Sequence, residues 1–159
     1  MCIRDRFIKY LEKENLVVFD ILGEDETHFR NRFRIQKYAF LAKRFGLDLP
    51  YQHGIYLYGP YSESLITDCY ALARDGRQYA AATPDLPESF RREDFLDLVR
   101  GRNDDWLEIT TTLISKNKRI PQGDVLVEDT EYTKAEFTSD LVTGVLHDLE
   151  DTGLLKLSR

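Results

Sequence analysis

The chain has 159 residues, 42% of them hydrophobic and 31% charged, with nine Phe and nine Tyr. That is the length of one domain, which buries roughly 70% of its unfolded surface and needs neither disulfides nor a structural metal; the aromatic content excludes a disordered chain. The formal net charge of −6 argues against a protein that coats nucleic acid. The charge is uneven, however: residues 1–50 carry ten Lys and Arg against eight Asp and Glu, residues 51–100 five against eight, and residues 101–159 seven against twelve.

No apolar run is long enough to span a bilayer, and the charged start lacks the apolar stretch of a secretory signal. Cys2 and Cys69 form no ligand or redox motif, so a reducing cytoplasm with no membrane attachment is expected. The hexamer Met1-Cys2-Ile3-Arg4-Asp5-Arg6 resembles the adapter-derived leader that heads many unrelated reading frames from environmental sequencing. The expectation is that residues 1–6 are non-native and that residues 7–159 are a single domain.

In chain order, Phe7 to Asn15 reads as a short helix, and Leu16-Val17-Val18-Phe19 as its extension or a short strand. After the acidic loop Gly23 to Glu26, a long helix is expected from about Phe29 to Phe45, stopped by Gly46. Ile35, Tyr38, Ala39, Ala42 and Phe45 mark its core face, leaving Arg30, Arg34, Lys37 and Arg44 largely off it. His53 to Tyr58 alternates as one strand and enters a Gly59-Pro60 turn, with Ser62 capping a helix from Glu63 to Arg74. Residues 77–88 read as an irregular connection. Phe90 to Val99 forms a helix, and Asn103 caps another from Asp104 to about Lys116.

Thr133-Lys134-Ala135-Glu136 matches a capping box opening a last helix to about Asp151, with Leu141, Val142, Val145, Leu146 and Leu149 as its buried stripe. Gly153 ends that helix, and Leu154 to Ser158 return as a strand in the manner of a winged helix. The expected class is α+β, predominantly helical: a compact single domain with a few short strands and a winged-helix-like C-terminal unit.

Chemistry-bearing residues are scattered. His28, His53 and His147 have no metal-ligand spacing; the first reads as a helix-start residue, the second as partly buried and hydrogen-bonded, the third as solvated. Cys69 falls in an apolar helix stripe, and Ser62 and Ser64 lack a nucleophile-elbow pattern. Asp104, Asp105 and Glu108 have the composition of a solvated helix start. No glycine loop matches a nucleotide-binding motif, so no cofactor and no enzymatic activity are expected. Arg30, Arg34, Lys37 and Arg44, interleaved with aromatics, are the nucleic-acid candidate, although residues 139–152 contain no Lys or Arg to act as a recognition helix.

From Arg34-Ile35-Gln36-Lys37 through Phe40-Leu41 to Tyr58-Gly59-Pro60-Tyr61-Ser62 and Leu65, the chain resembles the Panacea antitoxin domain and the related YwgA-like prokaryotic proteins. The resemblance covers about residues 29–73, and Tyr61-Ser62 after Gly-Pro is closer to the YwgA-like branch. It implies a mostly helical fold and direct contact with another protein, a toxin in the antitoxin case. Tyr58 and Tyr61 are the candidate partner-binding residues, because backbone geometry requires neither. The alternative is a winged-helix DNA-binding regulator.

Overall fold

Side-chain caps set most of the helix starts. In the computed structural model, which describes residues 2–158, there are eight helices among the described residues: α1 (Ile3–Lys13), α2 (Glu26–Arg44), α3 (Glu63–Arg74), α4 (Gly76–Ala81), α5 (Arg92–Val99), α6 (Asp104–Asn117), α7 (Gly123–Thr133) and α8 (Ser139–Leu149). Strands β1 (Gly54–Tyr56) and β2 (Gly59–Tyr61) form one two-stranded antiparallel sheet. Asp25, Ser62, Asp75, Asn103 and Thr138 each accept from the backbone N–H three residues on, satisfying a donor with no partner inside its helix. The predominantly helical α+β class expected from the sequence is the one observed, and no described helix is long and apolar enough to cross a membrane.

Two compact units are distinguished, one of residues 2–54 and 61–101, the other of residues 55–60 and 102–158. The core of the first is aromatic. Phe95 of α5 is fully buried and meets Tyr38 and Phe45 edge-on at centroid distances of 6.2 and 6.0 Å, while Phe90 lies 5.4 Å from it and 5.7 Å from Tyr10 of α1. Gly46 ends α2 at φ 92°, and a Cβ there would run into the Ser89 carbonyl, so this close approach requires glycine.

The expected two-faced character of α2 does not hold. Ile35 to Ala42 are buried all round the helix, including Gln36 and Lys37. The reason for a buried glutamine is specific. Gln36 Nε2 donates to the Ser62 carbonyl at 2.8 Å, and the Ser62 N–H donates to Gln36 Oε1 at 2.9 Å. One side-chain amide thus pairs with both backbone groups of the residue joining β2 to α3. Ser62 Oγ meanwhile accepts from Leu65 N at 3.3 Å, as its place before the helix predicts.

In the second unit α6, α7 and α8 pack against one another. Leu107, Ile109, Leu113, Leu126, Val142, Val145, Leu146 and Leu149 are among its buried apolar residues, and Leu141, expected in the stripe, is exposed instead. The capping box at Thr133 does not form: α7 ends there, Thr133 Oγ1 donates back to the Asp129 carbonyl at 3.0 Å, and Thr138 caps α8. The terminal strand is reduced to one parallel bridge between Gln122 and Ser158.

Other expectations shift at element ends. α1 begins at Ile3 inside the suspected leader, with Asp5 fully buried, paired to Arg4 at 2.8 Å and accepting from Gln78 Nε2 at 3.1 Å. Residues 16–19 form neither helix nor strand. Residues 76–81 form α4 in place of an irregular connection, because Asp75 caps it.

Replacing Gln36 by Leu strands two buried backbone groups, so Gln36→Leu lowers stability by about 2–4 kcal/mol. Ser62→Ala keeps those bonds and loses only the cap, about 1 kcal/mol. Urea denaturation of both variants checks the ordering.

Candidate functional site

The segment expected as one strand is a hairpin. Its turn residues are Leu57 and Tyr58, where Asn, Asp or Gly is usual, and Gly59 follows at φ 90°, the conformation that lets the chain turn back after a short loop. Gly59-Pro60 is therefore the start of β2 and not the turn itself. Proline is accommodated because a two-stranded sheet consists only of edges.

Burial divides the hairpin sharply. Gly59 and Pro60 are buried and Tyr61 is half-buried, whereas Ile55, Tyr56, Leu57 and Tyr58 are 47%, 52%, 77% and 48% exposed. Four consecutive exposed apolar residues are unfavourable in water and absent from most surfaces unless something covers them. Of the two candidate partner-binding tyrosines, Tyr58 belongs to this exposed run and Tyr61 is half-buried in β2.

The tip is held within the second unit, to which it belongs. Lys134 Nζ donates to the Leu57 carbonyl at 2.5 Å and lies 2.8 Å from Glu108 Oε2 in an ion pair whose side chains are both almost fully buried. A parallel contact joins Lys116 of α6 to Asp129 and Thr133 of α7, at 2.6 and 2.5 Å. The expectation of a solvated helix start holds for exposed Asp105 but not for Glu108, which is one turn further on and faces Lys134. Ile55, Tyr56, Leu57 and Lys134 carry no functional expectation from the sequence, and Glu108 was expected only as part of a solvated helix start. The available signal was the absence of any polar turn residue between two alternating segments.

The basic residues of α2 are largely engaged with their own surroundings. Lys37 is only 2% exposed and sits 5.0 Å from the Phe33 ring centroid. Arg34 donates to Tyr38 Oη at 2.6 Å. Arg44 donates to the Phe40 carbonyl at 2.8 Å and lies 3.5 Å from that ring's centroid, burial bringing its pKa down to about 10. Lys43 donates to the Tyr51 carbonyl. Of the four nucleic-acid candidates, only Arg30 is exposed.

The histidines and Cys69 differ in their surroundings. His28 contacts Asp25 at 2.6 Å and Asp20 at 3.1 Å at the start of α2, and His147 is exposed on α8. Cys69 is fully buried, which pushes its thiol up to about 12. His53 is half-buried and edge-on to Phe40, but its Nε2 finds no hydrogen-bond partner. Among the described residues no group of three or more His, Cys, Asp and Glu is arranged to hold a metal.

Burial, reinforced by the charges of Lys43, Arg44 and Lys37, pushes the His53 pKa down to about 4 from 6.5. The unfolded chain therefore takes up this proton first as pH falls. The stability due to neutral His53 is complete above about pH 6.5 and is lost toward pH 4, an effect on the order of 2 kcal/mol once partial exposure is allowed for. Subtracting the stability–pH curve of His53→Gln from that of the wild type isolates it. Lys134→Met leaves Glu108 buried without its cation and costs about 3–5 kcal/mol, while Glu108→Leu with Lys134→Met recovers most of that loss. Hydrogen exchange in the hairpin tip rises in both variants, because each lacks the donor to the Leu57 carbonyl.

In comparisons with known proteins, the chain matches no family model, no curated protein and no solved structure.

Proposed function

We propose that the chain is a non-enzymatic protein-interaction module that docks a partner protein through the Ile55–Tyr58 hairpin tip. The observation that carries this reading is the run of four exposed apolar residues on a backbone fixed by Lys134. Covering one such side chain is worth about 1.5–3 kcal/mol, and tyrosine is among the residues on which binding energy concentrates at interfaces. The groups that nucleophilic chemistry would draw on support the same reading: the Cys69 thiol is buried and the Ser62 hydroxyl is committed as a cap.

The resemblance of residues 29–73 to the Panacea and YwgA-like proteins gives the module a setting. In it the chain is a cytoplasmic antitoxin, or an accessory protein of a toxin–antitoxin or defence locus, and its partner is the product of a neighbouring gene. The alternative, a winged-helix regulator touching DNA through Arg30, Arg34, Lys37 and Arg44, has less support, because Lys37 is buried and Arg44 bonds its own helix.

Co-expression with each neighbouring gene product tests the proposal. A co-purifying one-to-one complex, with growth rescue where that product is toxic, is expected, and Leu57→Ser with Tyr58→Ser weakens it at least tenfold. Neither complex nor rescue with any neighbour, or full binding by the hairpin variant, overturns it.

A further inference from the structure

The α7–α8 segment that holds the hairpin tip presents acidic side chains to solvent. Lys134 fixes the tip to the end of α7, and it is the only Lys or Arg between residues 120 and 155. Its charge is withdrawn from the surface, being buried against Glu108 and the Leu57 carbonyl. Glu128, Glu136 and Asp140 remain exposed. They lie near Lys134: Glu136 is two residues beyond it, Glu128 is within two helical turns before it, and Ser139 Oγ donates to Glu131 Oε1 at 2.7 Å, folding the start of α8 back onto the last turn of α7. On α7, two residues before Lys134, Tyr132 is 87% exposed.

An apolar tip flanked by uncompensated carboxylates is complementary to one chemistry. We propose that it binds a cationic amphipathic protein segment, whose apolar face covers Ile55 to Tyr58 and whose Lys or Arg residues meet Glu128, Glu136 and Asp140. This rests on the interaction-module reading and specifies its partner. A second copy of the chain applying the same face would set carboxylates against carboxylates, and an anionic membrane would be repelled by them. A cationic segment gains on both counts, with an association rate that falls as salt rises.

The test uses the full chain and labelled synthetic peptides, one an amphipathic Lys/Leu helix and the other its Glu/Leu counterpart, read by fluorescence anisotropy. Phosphatidylserine/phosphatidylcholine vesicles form a sedimentation arm. The Lys/Leu peptide is expected to bind, at least tenfold more weakly after Leu57→Ser with Tyr58→Ser and again after Glu128→Lys with Glu136→Lys; the Glu/Leu peptide and the vesicles are expected not to bind. All four positions are exposed, and wild-type far-UV circular dichroism confirms that the variants fold, with Leu57→Ser alone as the milder control. Lys/Leu binding indifferent to the hairpin substitutions, equal binding of the Glu/Leu peptide, hairpin-dependent binding to vesicles, or hairpin-dependent dimers in sedimentation velocity would each overturn the proposal. If a neighbouring gene product forms a complex and the Lys/Leu peptide does not bind, the charge class alone is wrong. Failure of every co-expression overturns the module itself.

Discussion

The Gln36 amide and the Ser62 backbone form the contact on which the arrangement of the first unit depends. Two hydrogen bonds of 2.8 and 2.9 Å, buried and 26 residues apart in the chain, fix where β2 ends and α3 begins relative to α2. An amide is suited to this position because it offers a donor and an acceptor side by side, as a neighbouring strand would. Glutamate lacks the donor and leucine lacks both groups. With Ser62 held, its hydroxyl is placed to cap α3, and Leu65, Ile66, Cys69 and Leu72 turn into the core. The motif Arg34-Ile35-Gln36-Lys37 and the motif ending in Ser62 are thus two halves of one structural device.

The hairpin between them is exposed where that contact is buried. Its chain enters after a half-buried histidine and returns into that buried amide contact, yet its tip carries side chains that water disfavours. Lys134 holds the tip by its backbone, while Ile55 to Tyr58 remain exposed. A buried Lys–Glu pair contributes little net stability compared with apolar packing, but it fixes direction, since each charge accepts few other positions. Here the direction it fixes is that of an exposed apolar loop.

Elements governed by local chemistry were legible in the sequence. Ser62 and Asn103 cap the helices expected of them, and α3 has its expected bounds, because a cap acts within three residues and needs no distant partner. The Thr133 capping box failed because the same pattern is compatible with a helix end, and α7 reaches that residue from Gly123. The hairpin was read as a strand because apolar alternation gives no warning of a turn made from Leu and Tyr. Lys37 and Arg44 were placed off the core face, but α2 is buried all round from Ile35 to Ala42, and their charges are accommodated by aromatic rings and the helix backbone.

By itself the sequence determined the predominantly helical class, the caps at Ser62 and Asn103 and the packing role of Cys69, since composition, periodicity and capping are short-range properties. Only the tertiary structure decided that Gln36 binds Ser62, that Lys134 is buried against Glu108 and holds Leu57, and that Ile55 to Tyr58 face outward. The physical reason is separation along the chain. These contacts join residues 26 to 77 positions apart, and whether an apolar side chain is covered depends on neighbours that no local pattern specifies.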